Sequence, residues 1–426
     1  MLDIRFIKEN VELIKTNLKK KAQQDKFKVV DEIIAGYETS LKLKQQSEEL
    51  RRKRNELSLK VNELVKQKKD VKTVIKEVKD IPEKIKELEE KKEKKDSNLK
   101  QLAYNIPNIM HSSVPLGKDA TENKVLKKVG KIPKFKFPIK NHVELGESLN
   151  LFDFDASARI SGNGFYYLKG ELALLNQALI RYAIDFMSKK NYLYIEPPLM
   201  VNRRIEEAKG DFTAFEKALY KIENEDHFLI PTAEDAILGM LADQTIPEDK
   251  LPLKFFAYSM SFRKEIGSHG INEKGLWRTH QFNKVEQFIF CHPKDSWKYY
   301  EELRKNSEEL YKKLKLPYRL LECCSGDLGD WKAKSEDIEV YRPTIKEYGE
   351  VGSLSNCTDF QARDLNIKLL TKKGEKLVMH TLNNTAIATS RALVVIMENY
   401  QQKDGSIKVP TVLQKYTGFK VIKAKK

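Results

Sequence analysis

Through "LKLKQQSEELRRKRNELSLKVNELVKQKKD" apolar side chains return every seven residues, at Leu43, Leu50, Leu57 and Leu64, with Val61 beside them. After the polar "KQKKD" the pattern resumes at Val71, Val74, Val78, Ile81, Ile85 and Leu88, a three–four alternation that reappears at Leu99 and Leu102. A seven-residue seam keeps one face of a helix against another helix, so the two segments predict an antiparallel helical hairpin. Up to residue 105 the only glycine is Gly36 and the only proline Pro82. Pro82 predicts a kink, or a fresh helical start after Asp80. Two helices enclose little core, so residues 1–105 are expected to form an arm that projects from the remainder.

The character of the chain then changes. "YNIPNIMHSSVPLGKD" (104–119) brings prolines, a glycine and polar residues, which predicts a linker, taken over 106–140. Residues 141–426 mix a long amphipathic stretch, "GELALLNQALIRYAIDFMSKK", with short β-type runs such as "YLYIEPPLMVN", "KFFAYSMSFR" and "EQFIF". Strands that follow one another without regular helix alternation predict an α+β domain on an antiparallel sheet.

One run does not read as a core strand. In "GLWRTHQFNKVEQF" (275–288) an extended chain would put Arg278, His280, Phe282, Lys284 and Glu286 on one face, with Trp277, Thr279, Gln281, Asn283 and Val285 on the other. Just upstream, Arg263 and Glu265 stand two apart on a preceding strand, and "IGSHGINEKG" predicts a long, mobile turn. Such a hairpin gathers two arginines, a carboxylate and a ring. Guanidinium groups take phosphate oxygens, the carboxylate accepts from an amine and the ring stacks on a base, which suits a mononucleotide. A structural salt-bridge network accounts for the same charges equally well.

Composition sharpens this. The 426 residues carry 78 Lys+Arg against 62 Asp+Glu, a formal net charge of +16. The length suggests two or three domains, and the charge a polyanionic partner such as nucleic acid; a Lys-rich solvated surface is the plainer alternative. Residues 41–100 hold 20 Lys+Arg and 13 Asp+Glu, so the arm is itself a candidate for touching phosphates. The four cysteines, Cys291, Cys323, Cys324 and Cys357, form no CxxC pair or zinc spacing and predict buried thiols in a reducing compartment. "MLDIRFIKENVELIK" lacks a signal-peptide apolar core, and no run reaches the roughly 18 apolar residues of a membrane span, so a cytosolic protein without a membrane partner is expected. There is no GxxxxGK[ST] and no HExxH, and "GNGFYYLKG" is too loose for a dinucleotide fingerprint. A nucleotide would need another scaffold.

These stretches carry a resemblance. "FRKE…GLWRTHQF" resembles motif 2 of the class II aminoacyl-tRNA synthetases, and of seryl-tRNA synthetases in particular. "FLIPTAE" (228–234) resembles their serine-binding loop, "GEVGSLSNCTDFQARDLNI" (349–367) their strand before motif 3, "HTLNNTAIATSRALVVIMENYQ" (380–401) their motif 3, and "EPPLMVN" (196–202) motif 1. The helical arm and "IPNIMHSSVPLG" match as well, so the resemblance spans essentially the whole chain.

It implies roles residue by residue. Arg263 would contact the α-phosphate and Glu265 the adenine amino group. Phe282 would stack on adenine, with Arg391 opposite; main chain near Thr279 would read its edge, and Arg278 would approach the γ-phosphate. Glu350, Val351, Gly352 and Ser353 would complete the ATP site, with Glu350 and Ser353 on Mg²⁺. Arg263 and Arg391 would carry the catalysis, and Thr232, Ala233, Glu234, Arg263, Glu286 and Thr385 would hold serine. For Thr385 the alternative is a helix N-cap before "AIATSRALVVIM", for Glu234 a surface ion pair. Adenylate formation needs positioned groups and charge neutralisation, and no nucleophile or strong base.

The chain departs from bacterial members, which read Asn-Gly-Ser-Gly where "NNTA" stands, so that Thr385 replaces a serine; Ser390 also replaces a glycine. With "CCSGDLGDW" and "VEQFIFC" these look like archaeal and eukaryotic relatives, and they bear on the serine pocket. The ligand pattern of a zinc-dependent variant is absent. The resemblance implies serine activation with ATP, transfer to tRNA(Ser) and, where the organism has it, tRNA(Sec), and a homodimer in which the arm of one subunit serves the other's site. A non-catalytic homologue that acts as a binding or regulatory protein is the main alternative. It is disfavoured because Arg263, Glu265, Arg278, Phe282, Glu350 and Arg391 are all present. An enzyme that loads another amino acid onto a carrier protein is disfavoured by the arm.

Overall fold

The computed structural model describes residues 1–210, 212–265 and 274–424. The turn expected over 266–275 falls largely on 266–273, outside the described residues. The chain divides into two compact units, Met1–Pro107 and Asn108–Lys426.

The first unit is helical: α1 (Ile4–Glu9), α2 (Val11–Lys20), α3 (Phe27–Lys66), α4 (Lys72–Lys79) and α5 (Ile81–Tyr104). Asp3 caps α1, its carboxylate accepting from Phe6 N at 3.0 Å. The helices α3 and α5 run antiparallel, with Gly36 facing Leu99, Ser40 bonded to Asp96 and Arg51 paired with Glu89. A Cβ on Gly36 would lie 2.7 Å from the Leu99 side chain, so glycine lets the helices approach there. The heptad leucines Leu43, Leu50, Leu57 and Leu64 are only half-buried, whereas Val30, Ile33, Leu99 and Ala103 are fully enclosed. Two helices cover one side of a seam each and leave the flanks in water; α1 and α2 close the base. Pro82 sits in the first turn of α5, after α4 has ended at Lys79, where a missing N–H costs no helical bond.

The second unit is α+β. Its eight-stranded sheet comprises β1 (Lys124–Val129), β2 (Leu193–Ile195), β3 (Leu253–Phe262), β4 (Gln281–Cys291), β5 (Tyr318–Glu322), β6 (Lys334–Arg342), β7 (Glu347–Thr358) and β8 (His380–Ala388). They lie in the order β1-β5-β6-β7-β8-β4-β3-β2. Every pairing is antiparallel except β2 on β3. The helices that matter here are α6 (His142–Ser148), α7 (Gly170–Ser188), α8 (Arg203–Glu207), α9 (Ala233–Met240), α10 (Ser296–Lys313) and α11 (Thr389–Tyr400). Helix α7 buries Leu172, Leu175, Leu179, Tyr182, Ala183, Phe186 and Met187 at the three–four spacing of one face. Strand β4 alternates between two cores: Val285 and Ile289 join the one built on α7, α10 and α11, while Phe288 and Phe290 join the one built on α9.

Part of the stretch expected as a linker is structured. Strand β1 forms the sheet edge against β5, from Lys124 opposite Glu322 to Val129 opposite Tyr318. Asn108 donates to Cys357 O at 2.8 Å and to Trp331 O at 3.1 Å. Proline and glycine content marks irregular backbone but does not say whether that backbone is packed. Among the described residues no helix is long and apolar enough to cross a membrane.

Candidate active site

Strands β4, β6, β7 and β8, with Arg263 just past the end of β3, line a cleft of about 500 Å³, within the range of ligand sites. Arg263, Glu265, Arg278, Thr279, Phe282, Glu350, Val351, Gly352, Ser353 and Arg391 line it, together with Thr232, Glu234 and Thr385. Two expected residues do not. Ala233 is fully buried at the start of α9, in the core, and Glu286 lies one layer behind the wall, fully buried.

The strand predicted over 275–288 begins only at Gln281. Pairing with β3 runs from Leu253 opposite Phe290 to Phe262 opposite Gln281, and one further bond, Arg263 N to His280 O at 2.9 Å, ends it. Phe282, Lys284 and Glu286 therefore keep the strand alternation, while Arg278 and Thr279 reach the cleft from the turn before it. His280, expected on the same face, turns away. Its Nδ1 lies 3.0 Å from Tyr220 OH and 2.8 Å from Arg263 O, and its ring stacks on Phe165.

One end of the cleft holds rings and guanidinium groups. Arg263 lies over the Phe282 ring at 5.2 Å and donates to Pro231 O at 3.2 Å. Arg278 is ion-paired with Glu265 at 3.3 Å. Arg391, in the first turn of α11, donates to Glu350 O at 2.8 Å, pairs with the Glu350 carboxylate at 3.2 Å and lies 5.3 Å from the Trp277 ring. Glu350 and Ser353 are three apart, an odd spacing that puts residues on opposite faces of a regular strand. A bulge corrects this: Gly352 pairs with Ile338 but Glu350 with Glu339, which leaves Val351 without a partner and brings both side chains into the cleft. A Cβ on Gly352 would stand 3.2 Å from Thr385 Cβ, so glycine keeps β7 close to that residue.

Burial would push the Glu350 carboxyl up, but the Arg391 guanidinium, its hydrogen bond, Arg263 and Lys332 outweigh that and hold it below the usual carboxylate range. Asp337, opposite Ser353 in the sheet, is pushed up to about 7 by burial and by Glu350.

The other end is a buried hydrogen-bonded lattice. Thr232 caps α9, accepts from Lys284 Nζ at 3.1 Å and donates to Glu286 Oε2 at 3.1 Å. Lys284 is also ion-paired with Glu286. Glu234 accepts from Gln361 Nε2 at 2.7 Å and Asn383 Nδ2 at 2.8 Å, and Asn383 reaches Glu286 at 3.3 Å. The surface ion pair considered for Glu234 is therefore absent among the described residues. Nor does Thr385 cap a helix: β8 continues to Ala388, and Thr385 lies inside it, 5% exposed, against the cleft.

Sequence reasoning passed over Lys284, Asn383 and Gln361 as site residues, and also Trp277, Asp337 and Lys209 in the wall. Lys284 and Asn383 sit inside the very motifs singled out, so their signal was present; nothing local marks Lys209.

Residues 1–110 match the seryl-tRNA synthetase N-terminal domain, and residues 217–400 the class II tRNA synthetase core domain (G, H, P, S and T). The serine–tRNA ligase of Methanospirillum hungatei is 44% identical over 422 residues, 99% of each chain. The seryl-tRNA synthetase of Pyrococcus horikoshii, solved with ATP, superposes with a TM-score of 0.94 at 40% identity over the whole of both chains. The cytoplasmic serine–tRNA ligase of Naegleria fowleri, solved with AMP, gives 0.88 at 31% identity, covering 100% of this chain and 99% of its own. With such identity maintained from end to end, arm and core alike, the chain belongs to the seryl-tRNA synthetase family of class II aminoacyl-tRNA synthetases.

Proposed function

We propose that the cleft joins serine and ATP as seryl-adenylate, and that the seryl group then passes to the 3′ end of tRNA(Ser). The observation that carries this is one continuous cleft with the Phe282 ring under Arg263, and Arg278 and Arg391 in the wall, at one end and a carboxylate held by amide donors at the other. Phe282 offers a face for adenine opposite Arg391, and Glu265 an acceptor for its amino group. Arg263 would take the α-phosphate and Arg278 the γ-phosphate. Thr232, Glu234 and Thr385 face the amino acid, while Glu286 acts from behind through Thr232, Asn383 and Lys284.

In the first step a carboxylate oxygen of serine attacks the α-phosphorus in line and pyrophosphate leaves. The nucleophile is already ionised, so no protein base is required; the arginines offset charge that develops on the phosphoryl oxygens. In the second step a terminal ribose hydroxyl attacks the serine carbonyl and AMP departs. The residues present fit Mg²⁺: Glu350, kept ionised, and the Ser353 hydroxyl are hard oxygen donors set on one face by the bulge at Val351. When bound, the ion would neutralise phosphate charge.

The arm, with 20 Lys+Arg against 13 Asp+Glu over 41–100, suits the backbone of a long variable arm, read by shape more than by base. The same contacts would serve tRNA(Sec) where it occurs. Exposed Leu193, Leu199 and Met200, around the segment that resembles motif 1, support pairing of two copies. A translation enzyme of this kind belongs in the cytoplasm. The test is ATP–pyrophosphate exchange with each of the twenty amino acids and no tRNA. Exchange with serine alone is expected. Exchange with a different amino acid would overturn the pocket assignment, and none at all from folded protein would favour a non-catalytic homologue.

A further inference from the structure

Beside the amino-acid end lies a cluster of charges for which serine binding and adenylate chemistry have no use. Lys209, 8% exposed, follows α8, and its Nζ lies 3.3 Å from Glu206 Oε2 while also ion-paired with Asp235. Glu206 and Asp235 are both fully buried. Apart from Lys209, no donor among the described residues reaches the Asp235 carboxylate, and Glu206 Oε1 has none. Asp235 belongs to the first turn of α9, directly after Glu234 and three residues after the Thr232 cap. Lys209 itself forms part of the cleft wall.

A lysine is taken out of water only where carboxylates compensate it, and carboxylates this deep need the lysine in turn. Burial would pull the Lys209 ammonium down, but Asp235, Glu206 and Glu234 outweigh it and raise it overall. At the Asp235 carboxyl, burial and the Glu206 charge outweigh the pull of Lys209 and raise it as well. The arrangement joins α8 to the first turn of α9 through one cation.

We propose that Lys209 is a positioning residue for the amino acid: bridging Glu206 and Asp235, it clamps the first turn of α9 and so holds Thr232 and Glu234 in place. The inference rests on the reading of this end of the cleft as the serine site. Without the cation, two buried carboxylates face each other. Either one takes up a proton or water enters, and in both cases the tie between α8 and α9 is gone. The opposite end of the cleft is held by separate contacts, Arg263 on Pro231 and Phe282, and Arg391 on Glu350 and Trp277, and should not feel the loss.

The test is steady-state ATP–pyrophosphate exchange on the full chain, with serine and ATP varied separately. Wild-type protein that exchanges only with serine establishes the underlying reading first; its failure there would remove the pocket assignment and is distinct from any failure below. Lys209→Met should raise the KM for serine roughly 10- to 50-fold, with the KM for ATP within about twofold. The double variant Lys209→Met with Asp235→Asn removes the Asp235 charge that would otherwise face Glu206 without its lysine, and an amide that closes up on Glu206 can donate to it and renew the tie. It should bring the serine KM back to within about threefold of wild type, and it decides the matter if the single variant does not fold. An unchanged serine KM in Lys209→Met, a parallel rise for serine and ATP, a fall in the serine KM, or a folded double variant that does not recover would each overturn the proposal.

Discussion

Glu234→Gln exchanges one carboxylate oxygen for an amide nitrogen and removes a charge at a position only 6% exposed. Both Glu234 oxygens accept from side-chain amides, at 2.7 Å from Gln361 and 2.8 Å from Asn383. Gln361 can turn over only if Thr381 Oγ1, which donates to its oxygen at 2.7 Å, reverses to accept from its NH₂. The NH₂ of the new glutamine either faces another donor or forces that rearrangement, which costs about 1–3 kcal/mol of stability. Recognition loses more. An ammonium about 4 Å from a carboxylate at an effective dielectric of about 20 interacts by about 4 kcal/mol, and a neutral amide recovers only part of it. The expected fall in kcat/KM for serine is on the order of 10²- to 10³-fold, read by ATP–pyrophosphate exchange. Equilibrium ATP binding should stay within about twofold, since no ATP-end residue bonds to Glu234 among those described. A serine kcat/KM within about threefold of wild type, in protein with a normal unfolding transition, would refute the assignment of Glu234 to the substrate ammonium.

Phe282→Ala removes the ring under Arg263. Stacking on a base is worth about 1–3 kcal/mol, so the KM for ATP should rise roughly 5- to 150-fold with the serine KM little changed; an unaltered ATP KM would deny Phe282 that role. Replacing residues 45–92 by a short turn spares the enclosed base around Val30, Ile33, Leu99 and Ala103; adenylate formation should persist and tRNA charging fall at least about 100-fold, and full charging would remove the arm from tRNA recognition. Burial holds the His380 imidazole down at about 4, near Ser296 Oγ at 3.0 Å. The unfolded chain titrates near 6.5, so below that pH it takes up a proton that the fold refuses. The contribution of His380 to stability is therefore complete above about pH 6.5 and lost as pH falls toward 4, by about 2–3 kcal/mol. Urea unfolding at pH 7 and 4.5 should show that loss reduced in His380→Gln, and an equal acid loss in both proteins would contradict it. The Lys209→Met experiment joins these as the test of the buried clamp.

Elements with a local period are legible in the amino-acid sequence alone. The heptad of Leu43, Leu50, Leu57 and Leu64, the break at Pro82, the apolar face of Gly170–Ser188 and the alternation of Phe282, Lys284 and Glu286 each follow from the repeat of a helix or strand, which a one-dimensional string carries in full. The gathering of Arg263, Glu265, Arg278 and Phe282 in one cleft is legible because they stand on the two sides of one turn.

What the string could not hold is which distant partner stands opposite. The edge strand Lys124–Val129 exists because β5 offers it a ladder, though its own residues read as linker. Strand β4 starts at Gln281 rather than Gly275 because β3 has no partner to give beyond Arg263. Thr385 lies inside a strand, not at a helix cap, because β8 runs on between β7 and β4. Glu350 and Ser353 share a face only through an unpaired Val351, and Glu234 is gripped by Gln361 and Asn383, 127 and 149 positions away. Helix and strand periods are properties of neighbouring backbone units; register, bulges and buried charge pairs arise when separate segments must satisfy each other's polar groups out of water. That condition is met only in the folded chain.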